Sequence, residues 1–210
     1  MLERNEVEEG KAWSGDKAWE QAPLPADLLQ VLDPKDPAPV AIIRRGSTSS
    51  ERDTATVYTG TLHTASRLRE IPLEGEDVLA IVPFHQIRER GFEAIEGEEE
   101  LVYLRATREW EVPVEALLTV LPETQPTIED GGFDISDEGY ADLVRKAIDV
   151  EIGGGQGANF VLRRTYHAHT ETPRKEALLA WFAALLTQES GAYWTFVFVS
   201  EQVGAVGASP

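Results

Sequence analysis

Strand patterns crowd the first half of this chain, and the strong helical periods come only after them. The stretches "TATVYTGTLHTASRL", "DVLAIVPF" and "ELVYLRAT" are rich in Thr, Val, Ile and Tyr and read as strands, the last two as buried ones. The clearest helix start lies beyond them, at Ser136. Ser136 is placed to cap, and Asp137 and Glu138 complement the helix dipole in the first turn. Tyr140, Leu143, Val144, Ala147 and Ile148 then recur at i, i+3, i+4, i+7 and i+8, which predicts one buried face. A glycine-rich turn and a strand of about ten residues are expected next. A second helix follows, with Thr172 before Pro173 at its first position. Its expected face is Ala177, Leu178, Trp181, Phe182, Leu185 and Leu186, and Ser190-Gly191 is its expected stop. The chain closes on a hairpin, "AYWTFVFV" and "VGAVGAS". Strands clustered ahead of a helix–strand–helix–hairpin run predict an α+β domain, with antiparallel sheets packed by flanking helices, rather than a doubly wound sheet.

The remaining stretches fill in that outline. Residues 25–32 predict a short helix with Leu28, Leu29, Val31 and Leu32 on one side, followed by a Pro-rich turn and a strand from Val40. "SSERD" reads as a turn, "HQIRERGFEAIEGEEE" as a charged turn region, "VPVEALLTVLP" as a short helix bounded by prolines, and "QPTIEDGGFDIS" as a loop. Residues 1–22 are charged and carry the isolated Trp13 and Trp19, so they read as an arm, with docking of the indoles on another surface as the alternative. Residues 23–210 are expected to form the folded portion.

Charge narrows the partners. The chain has 210 residues, with 19 Lys and Arg against 37 Asp and Glu, a formal charge of -18. No basic footprint for nucleic acid is visible, and an anionic membrane would repel this surface. A small anion still fits wherever local positive groups outweigh the net charge. Cysteine is absent, so no disulfide, thiol nucleophile or Cys-ligated zinc forms, which fits a reducing cytoplasm. The first residues lack the apolar segment of a signal peptide, and no run approaches about 18 apolar residues, so no transmembrane helix is expected.

Several motifs invite a chemical reading. "GGGQGANF" lacks the Gly-Lys-Ser/Thr ending of a phosphate loop and opens a strand rather than a helix, so a tight turn is the simpler reading. His167 and His169 alternate onto one strand face, as two metal ligands without an evident third or as two hydrogen-bonded or exposed histidines. Arg163 and Arg164 are expected mid-strand, facing opposite sides. An inward guanidinium needs a carboxylate, supplied by the protein or by a ligand. No Ser-His-Asp arrangement can be argued from the scattered histidines.

The segment "GQGANFVLRRTY" (155–166) lies without a gap over a family strand motif, Gly-Asp-Ile-Phe-Gln-Val-Val-Leu-Ser-Gln-Arg-Phe. The end of the chain, "GAYWTFVFVSEQVGAVGASP", lies over that family's helix-following hairpin and its "GASPE" motif. By these stretches the chain resembles the chorismate-utilising enzymes, such as anthranilate synthase large subunits and isochorismate synthases. "VPFHQIRERGFE" (82–93) and "EIGGGQGANFVLRRTY" (151–166) look most like the phenazine-type 2-amino-2-deoxyisochorismate synthases and their relatives in other antibiotic pathways. The resemblance covers most of residues 23–210 and only the first half of the family's chorismate domain. It implies the N-terminal half of that fold, with the sequence stopping inside a domain.

What the resemblance implies can be placed residue by residue. Asn159 falls where isochorismate-forming relatives carry a water-activating lysine and anthranilate synthases carry a glutamine. An amide is no base at neutral pH, but it can orient ammonia by hydrogen bonding. That implies amination rather than hydration of the ring, the alternative being an amide that satisfies the glycine turn. Arg163 or Arg164, and Ser209 in "GASP", are the expected substrate contacts. "AYWTF" departs from the family's Asn-Pro-Ser-Pro-Tyr-Met effector motif, so feedback inhibition by tryptophan is not expected. The implied reaction is Mg²⁺-dependent: chorismate loses its 4-hydroxyl to a general acid, and ammonia attacks the neighbouring ring position. The implied product is 2-amino-2-deoxyisochorismate, or anthranilate if pyruvate is then expelled. The implied partners are chorismate, an ammonia-supplying glutamine amidotransferase domain or subunit, and the complementary C-terminal half, which carries the general acid and the Mg²⁺ ligands. A homo-oligomer is expected. A non-catalytic half-domain that binds a partner, and an unrelated small-ligand binder, are the competing readings.

Overall fold

The computed structural model describes residues 23–46, 53–75, 77–95, 97, 99–189 and 193–209. The arm with Trp13 and Trp19, most of "SSERD", the stop at Ser190-Gly191, and part of "EGEEE" lie outside the described residues. The described residues divide into two compact units, one drawn from 23–125 with 173–209 and the other formed by 126–172. The mixed α+β class expected from the element order is what forms.

The larger unit is built on β1 (Val40–Arg45), β2 (Thr54–Ala65), β3 (Val78–Ile81), β4 (Leu101–Pro113), β7 (Trp194–Val199) and β8 (Gly204–Ser209). They form one six-stranded sheet in the order β3-β4-β2-β1-β7-β8, antiparallel at every junction. Three helices belong to the same unit: α1 (Ala26–Leu32), α2 (Val114–Leu118) and α4 (Arg174–Gln188). Alternation along the strands sends Val40, Ile42, Val57, Val112 and Val197 into one core with Leu28 of α1, Leu117 of α2 and Phe182 of α4. The opposite face carries a second, smaller cluster of Ala41, Tyr58, Leu104 and Phe198. The stretch "DVLAIVPF" is only half-buried because β3 is an edge strand, and Val82 and Phe84 beyond it are exposed. Leu29 also departs from its expected side: it is 40% exposed, while Leu28, Val31 and Leu32 are buried.

Helix α4 forms because residues 174–186 hold no glycine, proline or β-branched residue. Its N-cap is Pro173, not Thr172, and no side chain caps it. Leu179 and Ala180 are as buried as the predicted face, so more of the helix circumference is covered than an amphipathic stripe implies. Lys175, in its first turn, is buried. Its Nζ donates to the Asp36 carbonyl at 2.8 Å and to the Ala38 carbonyl at 3.1 Å. Desolvation lowers its pKa, against the opposing pull of Asp36 and Asp33. A base with a depressed folded pKa makes the unfolded state the better proton binder. The Lys175 contribution to stability therefore rises with pH between its folded pKa and the ordinary lysine value of about 10.4. Urea midpoints across this range should climb less in Lys175→Met than in the unaltered chain.

The longest pairing, β2 with β4, shifts register between Thr59 and Gly60. A Cβ on Gly60 would lie 1.9 Å from the Arg105 carbonyl oxygen, so this bulge admits only glycine. Gly60→Ala is expected to cost about 1–3 kcal/mol by forcing the strands apart. Gly132→Ala meets open space and should stay within about 0.5 kcal/mol. Thermal denaturation of the two variants checks the contrast.

The smaller unit holds β5 (Glu129–Phe133), α3 (Asp137–Lys146) and β6 (Tyr166–His169), with one widened π-helical turn at Ala147–Ile152. The loop expected at "QPTIEDGGFDIS" is corrected in part: Glu129–Phe133 pairs antiparallel with β6, with a register shift where Asp130 takes φ 50°. The expected ten-residue strand is also corrected. Only Tyr166–His169 pairs, because β5 is too short to engage the residues before it. Ser136 caps α3 as expected, its Oγ accepting from the Gly139 amide at 3.1 Å. The predicted apolar face of α3 is not buried: Ala147 is covered, but Leu143 and Ile148 are 40% and 55% exposed.

Candidate functional site

The smaller unit contains three of the four predicted site residues, and the route to them begins in the helix. The π turn at 147–152 ends α3, with Gly153 N–H donating to the Ile148 carbonyl at 3.0 Å and Gln156 N–H to the Glu151 carbonyl at 2.8 Å. Such turns often mark functional sites. Glycines are required here: a Cβ at Gly153 or Gly154 would strike the Asp149 or Val150 carbonyl at 2.5 or 2.4 Å, and Gly155 has φ 75°. The chain then runs through Gly157 to Asn159.

Asn159 is exposed and makes no hydrogen bond among the described residues. It does not satisfy the glycine turn, which closes on its own backbone bonds. The amide is therefore open to a ligand.

The two arginines have separate fates. The Arg164 guanidinium lies 3.8 Å from the Phe133 ring centroid and 5.2 Å from that of Tyr140, and it pairs with Asp137 in the first turn of α3. Tyr140 OH donates to the Leu162 carbonyl at 3.1 Å, and Thr165 N–H donates to Asp134 Oδ1 at 2.9 Å. Arg164 is thus spent on structure, as an ion pair and a stack. Arg163 is exposed, and its one partner among the described residues is Thr165 Oγ1 at 2.7 Å. Both arginines lie outside a paired strand, contrary to the mid-strand placement.

His167 and His169 are exposed on β6, with His169 Nε2 2.7 Å from Glu171 Oε1. No three His, Asp or Glu side chains converge on a metal position among the described residues. The side chains of the described residues do not fit a Mg²⁺ site.

Ser209 belongs to the larger unit, at the end of β8. It is paired with Trp194, and its carbonyl accepts the Tyr193 amide at 2.6 Å. Its hydroxyl is exposed and lies on the strand face that carries Trp194, over which Arg45 stacks at 5.5 Å. The structure does not gather Ser209 and Asn159 within one unit.

On the same sheet face sits a group that the sequence reading missed. Tyr58 of β2 is opposite Glu109 of β4. Partial desolvation raises the Glu109 carboxyl above the usual range. A side-chain hydrogen bond to Asp77, and the charges of Asp77 and Glu111, add to the shift. The Tyr58 hydroxyl is raised by burial first, with Asp77 and Glu109 contributing, against a hydrogen bond to Thr56 and the charge of Arg45. Only the β3–β4 register brings Asp77 to Glu109, and no spacing along the chain announces it.

No protein-family model matches the chain. Curated relatives nevertheless show the class: over most of its length the chain is similar to enzymes of the chorismate-utilising kind that its motifs resemble. In particular, it is 37% identical over 192 residues to "Anthranilate synthase, phenazine specific" of Pseudomonas chlororaphis, a match that covers 88% of this chain and 30% of that protein. It is 34% identical over 190 residues to the protein of the same name from Pseudomonas fluorescens, covering 87% of this chain and 30% of that protein. The chain thus spans about 30% of the length of these relatives. No described helix is long and apolar enough to cross a membrane.

Proposed function

We propose that this chain is the Asn159-bearing portion of a chorismate-aminating synthase of phenazine-type biosynthesis. The complete enzyme joins ammonia to chorismate and forms 2-amino-2-deoxyisochorismate. The observation that carries this reading is the Asn159 amide: exposed, unbonded among the described residues, and set in a chain 37% identical to a phenazine-specific anthranilate synthase. An unbonded amide can hold and orient ammonia without taking its proton. Glutamine, through an amidotransferase domain or subunit, is the proposed ammonia source, and chorismate the proposed substrate. Mg²⁺ dependence belongs to the proposal, with its ligands outside the described residues, and so does cytoplasmic, homo-oligomeric assembly.

The relatives' name favours a second reading, in which amination is followed by loss of pyruvate to give anthranilate. The two separate in one assay. A chimera in which this chain replaces the matched stretch of the P. chlororaphis protein is given chorismate, Mg²⁺ and ammonia, and pyruvate is followed with lactate dehydrogenase. Chorismate consumed without pyruvate supports the first reading. Stoichiometric pyruvate supports the second. Turnover by the isolated 210-residue chain would count against both, because each places essential groups in the rest of the enzyme.

A further inference from the structure

The motif "VPFHQIRERGFE" (82–93) has no part in the site described above, and it folds with apolar side chains outward. It forms a 3₁₀ helix at Phe84–Arg90 in the larger unit, beside a 3₁₀ turn at Leu68–Glu70. Its polar groups are spent on holding this stretch together. Gln86 is buried, and its Nε2 donates to the Ser66 carbonyl at 3.4 Å. Glu89 Oε1 accepts from the Leu68 amide at 2.9 Å, and Arg88 donates to the Ala94 carbonyl. Phe84, Phe92 and Ile95 are left 78%, 61% and 93% exposed. A surface loop ordinarily does the reverse, and several large apolar side chains exposed in one short loop mark a contact surface. At about 200 Å² for a phenylalanine, the two rings alone offer roughly 300 Å². A standard interface takes about 800 Å² from each partner, so these side chains can supply its apolar centre.

The charges around this loop say which partner fits it. Arg69 on the first turn and Arg90 at the end of the 3₁₀ helix are exposed and have no carboxylate partner among the described residues. The nearby Glu70 and Glu89 are tied to backbone amides. Glu93, Glu99 and Glu100 are exposed and have no basic partner among the described residues. A Cβ on Gly97 would strike the Glu99 carboxylate and touch the His85 ring, which places Glu99 at the other end of the helix from Arg90. His85 and Arg90 stand about 10 Å apart along a 3₁₀ helix. The surface is thus positive at one end and negative at the other, and such a surface is complementary to itself. A two-fold rotation lays the arginine end of one copy on the glutamate end of the next, twice over. Two copies of net charge -18 repel each other wherever acidic surfaces meet, so a contact between them needs exposed cations, which this loop and its neighbouring turn provide.

We propose that this chain pairs with a second copy of itself through the loop at 84–95, in a closed two-fold dimer. Phe84, Phe92 and Ile95 meet their counterparts at the centre. Arg69 and Arg90 of each protomer face Glu99 and Glu100 of its partner. The proposal deepens one part of the reading above, the homo-oligomer, and rests on none of its chemistry.

Sedimentation velocity of the 210-residue chain over a concentration series tests it, with urea midpoints to show that each variant folds. The unaltered chain should form a dimer and no larger species. Phe92→Ser should weaken the dimer about tenfold or more. Arg69→Glu with Arg90→Glu should weaken it as much, by setting like charges opposite one another. Adding Glu99→Lys and Glu100→Lys to that pair should restore it, because opposite charges then face each other again. A chain that stays monomeric at every concentration overturns the proposal and the homo-oligomer together. A dimer indifferent to Phe92→Ser, or a charge reversal that the second pair does not rescue, overturns this surface and leaves the homo-oligomer standing. Growth past the dimer overturns the two-fold closure.

Discussion

Phe182→Ala is expected to destabilise the larger unit by about 3–5 kcal/mol. Phe182 has no exposed surface and sits among Leu28, Ile42, Val57 and Leu179 in the core between the sheet and its helices. Truncation removes the ring's transfer energy and leaves a cavity that rigid strands on one side cannot collapse into. A domain of this size is stable by only about 5–15 kcal/mol, so the loss is a large share of the total. With a urea slope of about 2 kcal/mol per molar, the midpoint should fall by roughly 2 M. Trp110 and Trp181, which lie in or against this core, report the transition by fluorescence. Phe182→Leu keeps most of the volume and should lose well under half as much.

The second large effect falls on chemistry rather than stability. Asn159→Leu in the chimera is expected to lower ammonia-dependent consumption of chorismate by about 10²-fold, the cost of a misplaced nucleophile. The same change should move stability by no more than about 0.5 kcal/mol, because the side chain is exposed and unbonded among the described residues. Asn159→Lys is the informative companion. A lysine at this position restores a group able to activate water, so hydrated product should appear at the expense of aminated product. Product mass spectra with and without ammonia decide it. Equal turnover in all three proteins would remove Asn159 from the mechanism.

Local patterns carried much of the fold. Helix α4 was legible because residues 174–186 hold no glycine, proline or β-branched residue, and β1, β2 and β7 because their branched and aromatic residues favour a pleated surface. What failed to show were pairings across the chain. Strand β5 is "EDGGF", with no strand propensity of its own, and it forms against Tyr166–His169. Residues 159–164 look like a strand but pair with no strand among the described residues of their own unit. The apolar positions of α3 keep a helical period, yet periodicity predicts which side is apolar and not what covers it.

The site was legible to a similar depth. Alternation alone places Arg163 and Arg164 on opposite sides. Choosing between them needed Asp137, Phe133 and Tyr140, which only the fold brings near. Lys175 would be assigned to solvent by its charge, and it is buried because the turn before β1 delivers two carbonyls to its ammonium. The Asp77–Glu109 contact depends on strand register in the same way.

We propose that this chain is the Asn159-bearing part of an enzyme that aminates chorismate. The most direct measurement is chorismate consumption by the folded chimera, with product mass determined in the presence and absence of ammonia. An amine-bearing product that needs ammonia and disappears in Asn159→Leu is the predicted result. A folded chimera that leaves chorismate untouched, under conditions where the unaltered P. chlororaphis protein consumes it, would contradict the account.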